Sequence, residues 1–335
     1  MGAINIRDVA QWASLLRAEP RRPVLVHLNG DTTWLLQLPY PATAASAQES
    51  HRTHFNLLVD PWLQGPQSDV ASWFSTQYHV VAPAVPSLGA LQDALRELEP
   101  AGAGDGNGSR IDAVAISHEF TDHCHKATLK QLPRSTPIYA ADVAADLIRR
   151  WGFFDADAVV TAPGLAEGTP WTSLAHAGLP PWLRVGRLVT PGNSLYYHSA
   201  LVIAFDAAPG EAEAVIYSPH GISAQDVAAV LPSCGLATTL AMLHGLHDVR
   251  LFPVKQLNLG ALNAVEAVRA AGARYWIGTH DEEKTGKGLI APLLRRTRYT
   301  LRQAVAHDEK KRTSAAGDRA YEFKELASGE ALLLK

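Results

Sequence analysis

The segment Ile111-Asp112-Ala113-Val114-Ala115-Ile116 is an apolar run of strand length, and it leads straight into Ser117-His118-Glu119-Phe120-Thr121-Asp122-His123. Residues 126–132 follow with the composition of a helix. A buried strand, a short turn and a helix suit an α/β fold. The turn delivers two imidazoles and a carboxylate together at the C-terminal end of the strand. A short, rigid connection of this kind can hold metal ligands in fixed geometry.

Strand and helix signals alternate along the rest of the chain. Residues 4–18 read as an amphipathic helix. Residues 24–28, Asn29-Gly30 and 32–38 make a hairpin signal, because Asn-Gly suits a tight turn between strands. A polar stretch over 42–50 leads into a strand ending at Asp60, and short helices are expected over 68–75 and 91–98. The glycine-rich run 102–108 precedes a strand instead of joining strand to helix, so it reads as a surface loop and not a phosphate cradle. Further strands are expected near 158–162, 184–190, 199–206, 214–218, 237–242 and 274–279, and helices near 141–150, 223–230, 261–272 and 289–306. Charged residues 309–319 read as a solvated loop before a last hairpin over 321–334. Strands on both sides of the midpoint, with helices between them, suit two mixed sheets packed face to face with helices outside, in a single domain over 1–335.

Composition narrows the function. The 335 residues carry a formal charge of −3, which supplies no basic face for nucleic acid. Cys124 and Cys234 are the two cysteines, so no disulfide framework supports the fold, as suits a reducing compartment. Residues 1–6 lack the basic and apolar blocks of a signal peptide. The longest uncharged window, 227–243, contains Pro232 and Gly235 and reads as helix, turn and buried strand, not as a membrane span. The expectation is a cytoplasmic protein acting on a small molecule, with neither nucleic acid nor membrane as partner.

Ser117 to His123 resembles the His-x-His-x-Asp-His motif of the metallo-β-lactamase superfamily, with Phe120 standing where the second histidine belongs. Phe55-Asn56-Leu57-Leu58-Val59-Asp60 is similar to the early strand that ends in a structural aspartate. Val189-Thr190-Pro191-Gly192-Asn193-Ser194 resembles the segment that carries a third metal histidine, with Asn193 in its place. Val215-Ile216-Tyr217-Ser218-Pro219-His220 resembles the strand that ends in a bridging aspartate, with His220 in that position. Tyr275-Trp276-Ile277-Gly278-Thr279-His280 resembles the last strand and its closing metal histidine.

The resemblance implies a four-layer αββα sandwich, two mixed sheets flanked by helices, and it carries over a ligand set. Only His118 survives from the first metal site, since Phe120 cannot ligate and Asn193 is a poor zinc ligand. The second site keeps Asp122, His123 and His280, and His220 adds an imidazole. One ion per chain is therefore expected, held by Asp122, His123 and His280, with His220 and His118 as further candidates. Neutral imidazoles and a carboxylate suit zinc, and they suit iron or manganese as well. If Asp122, His123, His220 and His280 all bind, the tetrahedral shell is full, and turnover needs a fifth position or a loosely held His220. His118 reads equally well as a hydrogen-bonding neighbour of the ligands, and Asp60 as the residue that hydrogen-bonds the loop bearing the motif.

The implied function is a metallo-hydrolase that uses a metal-activated water on an ester, lactone, thioester, amide or phosphodiester. Asp122 would orient the water, and His220 or His118 would shuttle the proton. A non-hydrolytic iron or manganese enzyme and a catalytically inactive binding protein are the two alternatives, since one fold hosts many functions. No Gly-x-Ser-x-Gly elbow supports a serine hydrolase. His125 reads as a solvated or capping residue, Cys124 as a buried thiol before a soft ligand or an oxidisable group, and His176, His198 and His244 as structural before substitutes for the lost third histidine. Trp62, Trp171, Trp182, Tyr196 and Tyr197 lie on segments expected near the mouth of the site, where an apolar substrate pocket and core or rim packing explain them equally well.

Overall fold

The computed structural model describes residues 3–335 apart from 42–51, 70, 100–107, 175, 177, 189–197, 209–210, 252, 254 and 312–320. The first half runs β1 (Ile4–Asn5), α1 (Val9–Ala18), β2 (Val24–His27), β3 (Trp34–Pro39), β4 (His54–Val59), β5 (Thr76–Tyr78), α2 (Leu88–Leu98), β6 (Ala113–Ile116), α3 (Lys126–Leu129), β7 (Ile138–Ala140), α4 (Asp142–Arg150), β8 (Val159–Thr161) and β9 (Gly164–Leu165). The second half continues with β10 (Leu183–Leu188), β11 (Ala200–Ala208), β12 (Glu211–Ser218), α5 (Ala224–Val230), β13 (Thr238–His244), β14 (His247–Leu251), β15 (Lys255–Asn258) and α6 (Ala261–Ala270). It ends with β16 (Tyr275–Ile277), β17 (Thr285–Lys287), β18 (Leu294–Arg298), α7 (Leu301–Lys311), β19 (Glu322–Lys324) and β20 (Glu330–Leu333).

Two large mixed sheets organise these elements, in the orders β1-β20-β2-β3-β4-β6-β7-β8 and β19-β16-β13-β12-β11-β10-β9. Alternation along each strand explains the layers, because successive side chains leave a strand on opposite faces. Val24, Val26, Leu35, Leu58, Val114 and Ile116 face a core shared with Trp12, Leu15, Leu88, Leu91, Leu95 and Ile148 of α1, α2 and α4. Their neighbours Leu25, Leu36, Leu57, Val59, Ala113 and Ala115 face the other way, onto Val185, Leu201, Ile203, Val215 and Leu243 of the second sheet. Val202, Ile216, Met242 and Trp276 in turn pack against Val227, Val230, Ala264, Val265 and Val268 of α5 and α6. Helix, sheet, sheet and helix stack as the αββα sandwich the sequence leads one to expect. Central strands such as β6 are buried along their whole length, so they read as continuous apolar runs.

Several local expectations need correction. The chain enters through a short strand, Ile4–Asn5, and helix α1 starts only at Val9, where Asp8 caps it by accepting from the Gln11 amide. Asn29-Gly30 does not make a two-residue turn: β2 and β3 are closed by the His27–Trp34 pair, so residues 28–33 form a longer loop. In that loop Asn29 Oδ1 accepts from the Asp31 and Thr33 amides, and a side chain replaces the tight backbone turn. Residues 72–74 form a turn where a helix is expected over 68–75. Strand β18 occupies 294–298 inside an expected helix, pairing with β14. The expected last hairpin does not form either: β19 pairs with β16 in one sheet and β20 with β2 in the other, so the C-terminal segment crosses between the sheets. The glycine-rich stretch over 102–107 lies outside the described residues.

Parallel pairing sets the position of the site. Strands β4 and β6 are parallel, as are β12, β13 and β16. Their C-terminal ends therefore emerge in common, at the edge where α/β sheets bind ligands. No helix among the described residues is long and apolar enough to cross a membrane.

Gly221, directly after His220, shows how tightly this edge is packed. Its φ is +87°, and a Cβ added there would lie 2.6 Å from Leu259 Cβ and 3.0 Å from His244 Nε2. Gly221→Ala should therefore lower the unfolding free energy by about 2 kcal/mol or more, combining left-handed strain with overpacking. Denaturant melts of the variant check this; an unchanged midpoint would refute the packing described.

Candidate metal centre

Asp60 ends β4 and is completely buried. Its carboxylate accepts from the Ser117 amide at 2.8 Å, from the Ser117 hydroxyl at 2.5 Å and from His123 Nδ1 at 2.7 Å. The first turn after β6 is thereby tied to the end of β4, and His123 carries its proton on Nδ1. Its Nε2 is buried with no hydrogen-bond partner. A buried imidazole nitrogen oriented in this way is a lone pair aimed into the site, which is the arrangement a metal ligand needs.

Two other imidazoles are prepared similarly. His220, after β12, has Nδ1 3.0 Å from Asn258 Oδ1 at the end of β15. His280, after β16, has Nδ1 3.0 Å from Asp31 Oδ1. In each case an oxygen acceptor fixes the proton on Nδ1, so that Nε2 carries the lone pair. Ligand nitrogens of His123, His220 and His280 all lie within 4.8 Å of one another. Burial, followed by the neighbouring imidazoles, holds His220 well below the ordinary histidine range. Burial also lowers His280, with Asp31 working against it. For His123 burial is outweighed by the Asp122 and Asp60 carboxylates, and the pKa is raised.

His118 is held differently. Its Nδ1 lies 3.2 Å from the Phe120 amide, a donor, and 3.1 Å from Glu119 Oε2, an acceptor. Its ring stands 5.0 Å from that of His220 and 6.0 Å from that of His123. Burial keeps it neutral, with a pKa well below the usual value. The Phe120 ring lies 4.2 Å from His118 and 5.9 Å from His220, so an apolar surface lines the side where the family's second histidine would stand.

Asp122 borders two of the three imidazoles, with Oδ1 3.6 Å from His123 Nε2 and Oδ2 3.9 Å from His280 Nε2. Its closest charged partner is Lys284, whose Nζ lies 2.6 Å from Asp122 Oδ2 and 2.6 Å from Asp31 Oδ2. Burial alone would raise both carboxyls and lower the ammonium. The pairing overrides burial in all three: Asp31 and Asp122 are pushed down and Lys284 up, so each stays charged.

Asp31, Asn258 and Lys284 are absent from the set read from sequence. Asp31 follows Asn29-Gly30 and reads as part of a turn, and Lys284 closes the charged run Asp281-Glu282-Glu283-Lys284, which reads as a solvated face. The lysine's side chain is only 6% exposed. Glu282 is buried too, receiving the Val80 and Val81 amides and facing His79 Nδ1 at 2.6 Å, and so anchors the segment.

Other expected neighbours scatter. Trp62 is close to the site, with Lys284 Nζ 5.3 Å from its ring centre and His79 stacked on it. Trp171 packs instead with Ala204 and Ala212, and Trp182 against Tyr40 and Phe55, away from a site mouth. Asn193, Tyr196 and Tyr197 lie outside the described residues. His176, His198 and His244 each hold a structural oxygen, on Val185, Leu257 and Asn263 respectively. His125 caps α3 by accepting from the Thr128 amide, and Cys124 is a buried thiol.

Neither a family model nor a curated protein sequence matches this chain. Solved structures do. The isothiocyanate hydrolase from Delia radicum gut bacteria is 17% identical with a TM-score of 0.54, over 93% of this chain and 99% of that one. A possible metal-dependent hydrolase from Veillonella parvula is 13% identical with a TM-score of 0.54, over 93% and 100%. A metallo hydrolase from the archaeon Ignicoccus hospitalis is 13% identical with a TM-score of 0.51, over 93% and 99%. Identities this low carry the fold and not the activity. Two facing mixed sheets with an outer helix layer on each agree with the likeness to these structures, and the histidines at the strand ends agree with the sequence motifs: the chain has the metallo-β-lactamase fold.

Proposed function

We propose that this protein is a hydrolase working on a small molecule with one bound divalent metal ion, of which zinc, iron and manganese all suit the donors. The observation that carries this reading is the convergence of His123, His220 and His280, each with Nδ1 against an oxygen acceptor. Three imidazoles, each neutral once it ligates, form a catalytic type of donor set, because the fourth position remains for water. Lys284 on Asp122 Oδ2 favours Asp122 as a neighbour of the ion over Asp122 as a fourth ligand. A bound ion would supply Lewis acidity and a nucleophilic water near neutral pH.

The remaining roles belong to this chain's own residues. Asp122 is kept ionised by Lys284, His123 and His280, so it can accept a hydrogen bond from the attacking water and orient it. His118 is neutral and stands beside His220, where it can take up the released proton. Phe120 presents an apolar wall to the same space. A cleft of about 380 Å³, lined by Ser75, Gln77, Lys287, Arg296 and Arg298, shares Lys284 with the centre and is of a size for a small molecule.

Elemental analysis tests the reading first. About one tightly bound metal equivalent per chain is expected, and none in His123→Ala or His280→Ala, since each change removes one of the few bonds holding the ion. Full metal content and activity in His280→Ala would overturn the ligand set. Asp60→Asn keeps the shape but weakens the acceptor that orients His123, so chelator competition should show metal affinity reduced by roughly 10–100-fold. The pH dependence has a definite sign. Because the Asp122 and Asp60 carboxylates raise the His123 pKa, a proton competes for its Nε2 at higher pH than for an ordinary histidine, and metal affinity should fall by about tenfold per pH unit on the acid side of that point. Affinity measured across the range would contradict the assignment if it stayed flat there.

A further inference from the structure

Lys284 is a buried ammonium placed on what would otherwise be a cation-binding pair of carboxylates. Asp31, Asp122 and His280 bring ligand atoms within 4.8 Å of one another, a set that could hold a metal ion. Lys284 Nζ sits 2.6 Å from Oδ2 of both carboxylates. Its surroundings hold it there. Trp62 offers its ring face at 5.3 Å, His79 stacks on Trp62 at 3.6 Å, and the next residue but one toward the N-terminus, Glu282, is clasped by the Val80 and Val81 amides. Asp31 is equally fixed, with its amide on Asn29 Oδ1 and its Oδ1 on His280 Nδ1.

We infer that Lys284 is an internal cation standing in for a second metal ion on the Asp31–Asp122 pair, and that it limits this centre to one ion. The inference rests on the reading that His123, His220 and His280 hold that ion. Two physical arguments support it. Lys284 Nζ fills the space between the two carboxylates, 2.6 Å from Oδ2 of each, so the ammonium and an ion on that pair exclude one another. Charge gives the second. Asp31, Asp60 and Asp122 are three buried carboxylates, and Lys284 leaves two negative charges among them, which one divalent ion neutralises. A second divalent ion beside a retained lysine would leave a buried excess of positive charge, which a low-dielectric site resists.

Elemental analysis and calorimetric titration with zinc or manganese, on wild type and on Lys284→Met and Lys284→Arg, test this. Wild type and Lys284→Arg should each bind about one equivalent, and Lys284→Met about two, as expected when a fixed charge is exchanged for a bound ion. Adding Asp31→Asn to Lys284→Met should abolish the second equivalent. If Lys284→Met stays at the wild-type content in excess metal, the inference is overturned. It is overturned as well if wild type already binds two ions, an outcome that leaves the metal-centre reading standing. Wild type with no ion would refute that reading instead, and the lysine's role would then be decided by whether Lys284→Met gains an ion that wild type lacks. Should Lys284→Met be insoluble, it is expressed with supplementary metal: recovery of folded protein that holds the extra ion supports the inference, and failure at every metal concentration counts against it.

Discussion

The carboxylate of Asp60 is the joint on which the rest of the site depends. It receives the Ser117 amide and hydroxyl and His123 Nδ1, while its own amide reaches Ala115 and its carbonyl receives Thr33 Oγ1. Two parallel strands, the turn after β6 and the 28–33 loop are therefore held by one buried residue. A charge this deep persists only where hydrogen bonds replace its lost solvation, and Asp60 accepts three. Its backbone pays for the placement with φ at +43°.

His280 is the other non-glycine residue at positive φ among the described residues, at +59°. Both strained residues lie in the histidine cluster, on opposite sheets, and each is over-determined by hydrogen bonds. His280 donates its amide to the Asp31 carbonyl and faces Asp31 Oδ1 with Nδ1. Strain of roughly 1–3 kcal/mol at each position is the kind that clusters where geometry serves function. Around them, burial keeps His118, His220 and His280 neutral, while the carboxylates stay charged through partners. Neutral donors and fixed charges thus coexist within a few ångströms because each group has a different neighbour.

The layered fold was legible because its central strands are short apolar runs separated by helices, and alternation sorts their side chains into two cores. Errors fell where a local signal met a tertiary demand. Residues 294–298 have helical composition yet pair with β14, and the C-terminal segment resembles a hairpin yet gives one strand to each sheet. Backbone pairing across the sheet edges overrode propensity in both places. Asn29-Gly30 carried a turn signal that Asn29 satisfied with its side chain, and the longer loop placed Asp31 at the site.

Among the site residues, His118, Asp122, His123, His220 and His280 stand at strand ends inside motifs, so their proximity could be inferred from the sequence in order along the chain. Which nitrogen each imidazole presents could not. That depends on Asp60, Asn258 and Asp31, and the last lies 249 positions from the His280 it orients. Lys284 carries no sequence signal at all, because a lysine after three acidic residues belongs by local chemistry to a solvated surface. The amino-acid sequence by itself determined the sandwich and the identity of the candidate donors, through apolar periodicity and residue type. Only the tertiary structure decided the charge and tautomer of those donors, since both are set by burial and by partners that the chain brings together from afar.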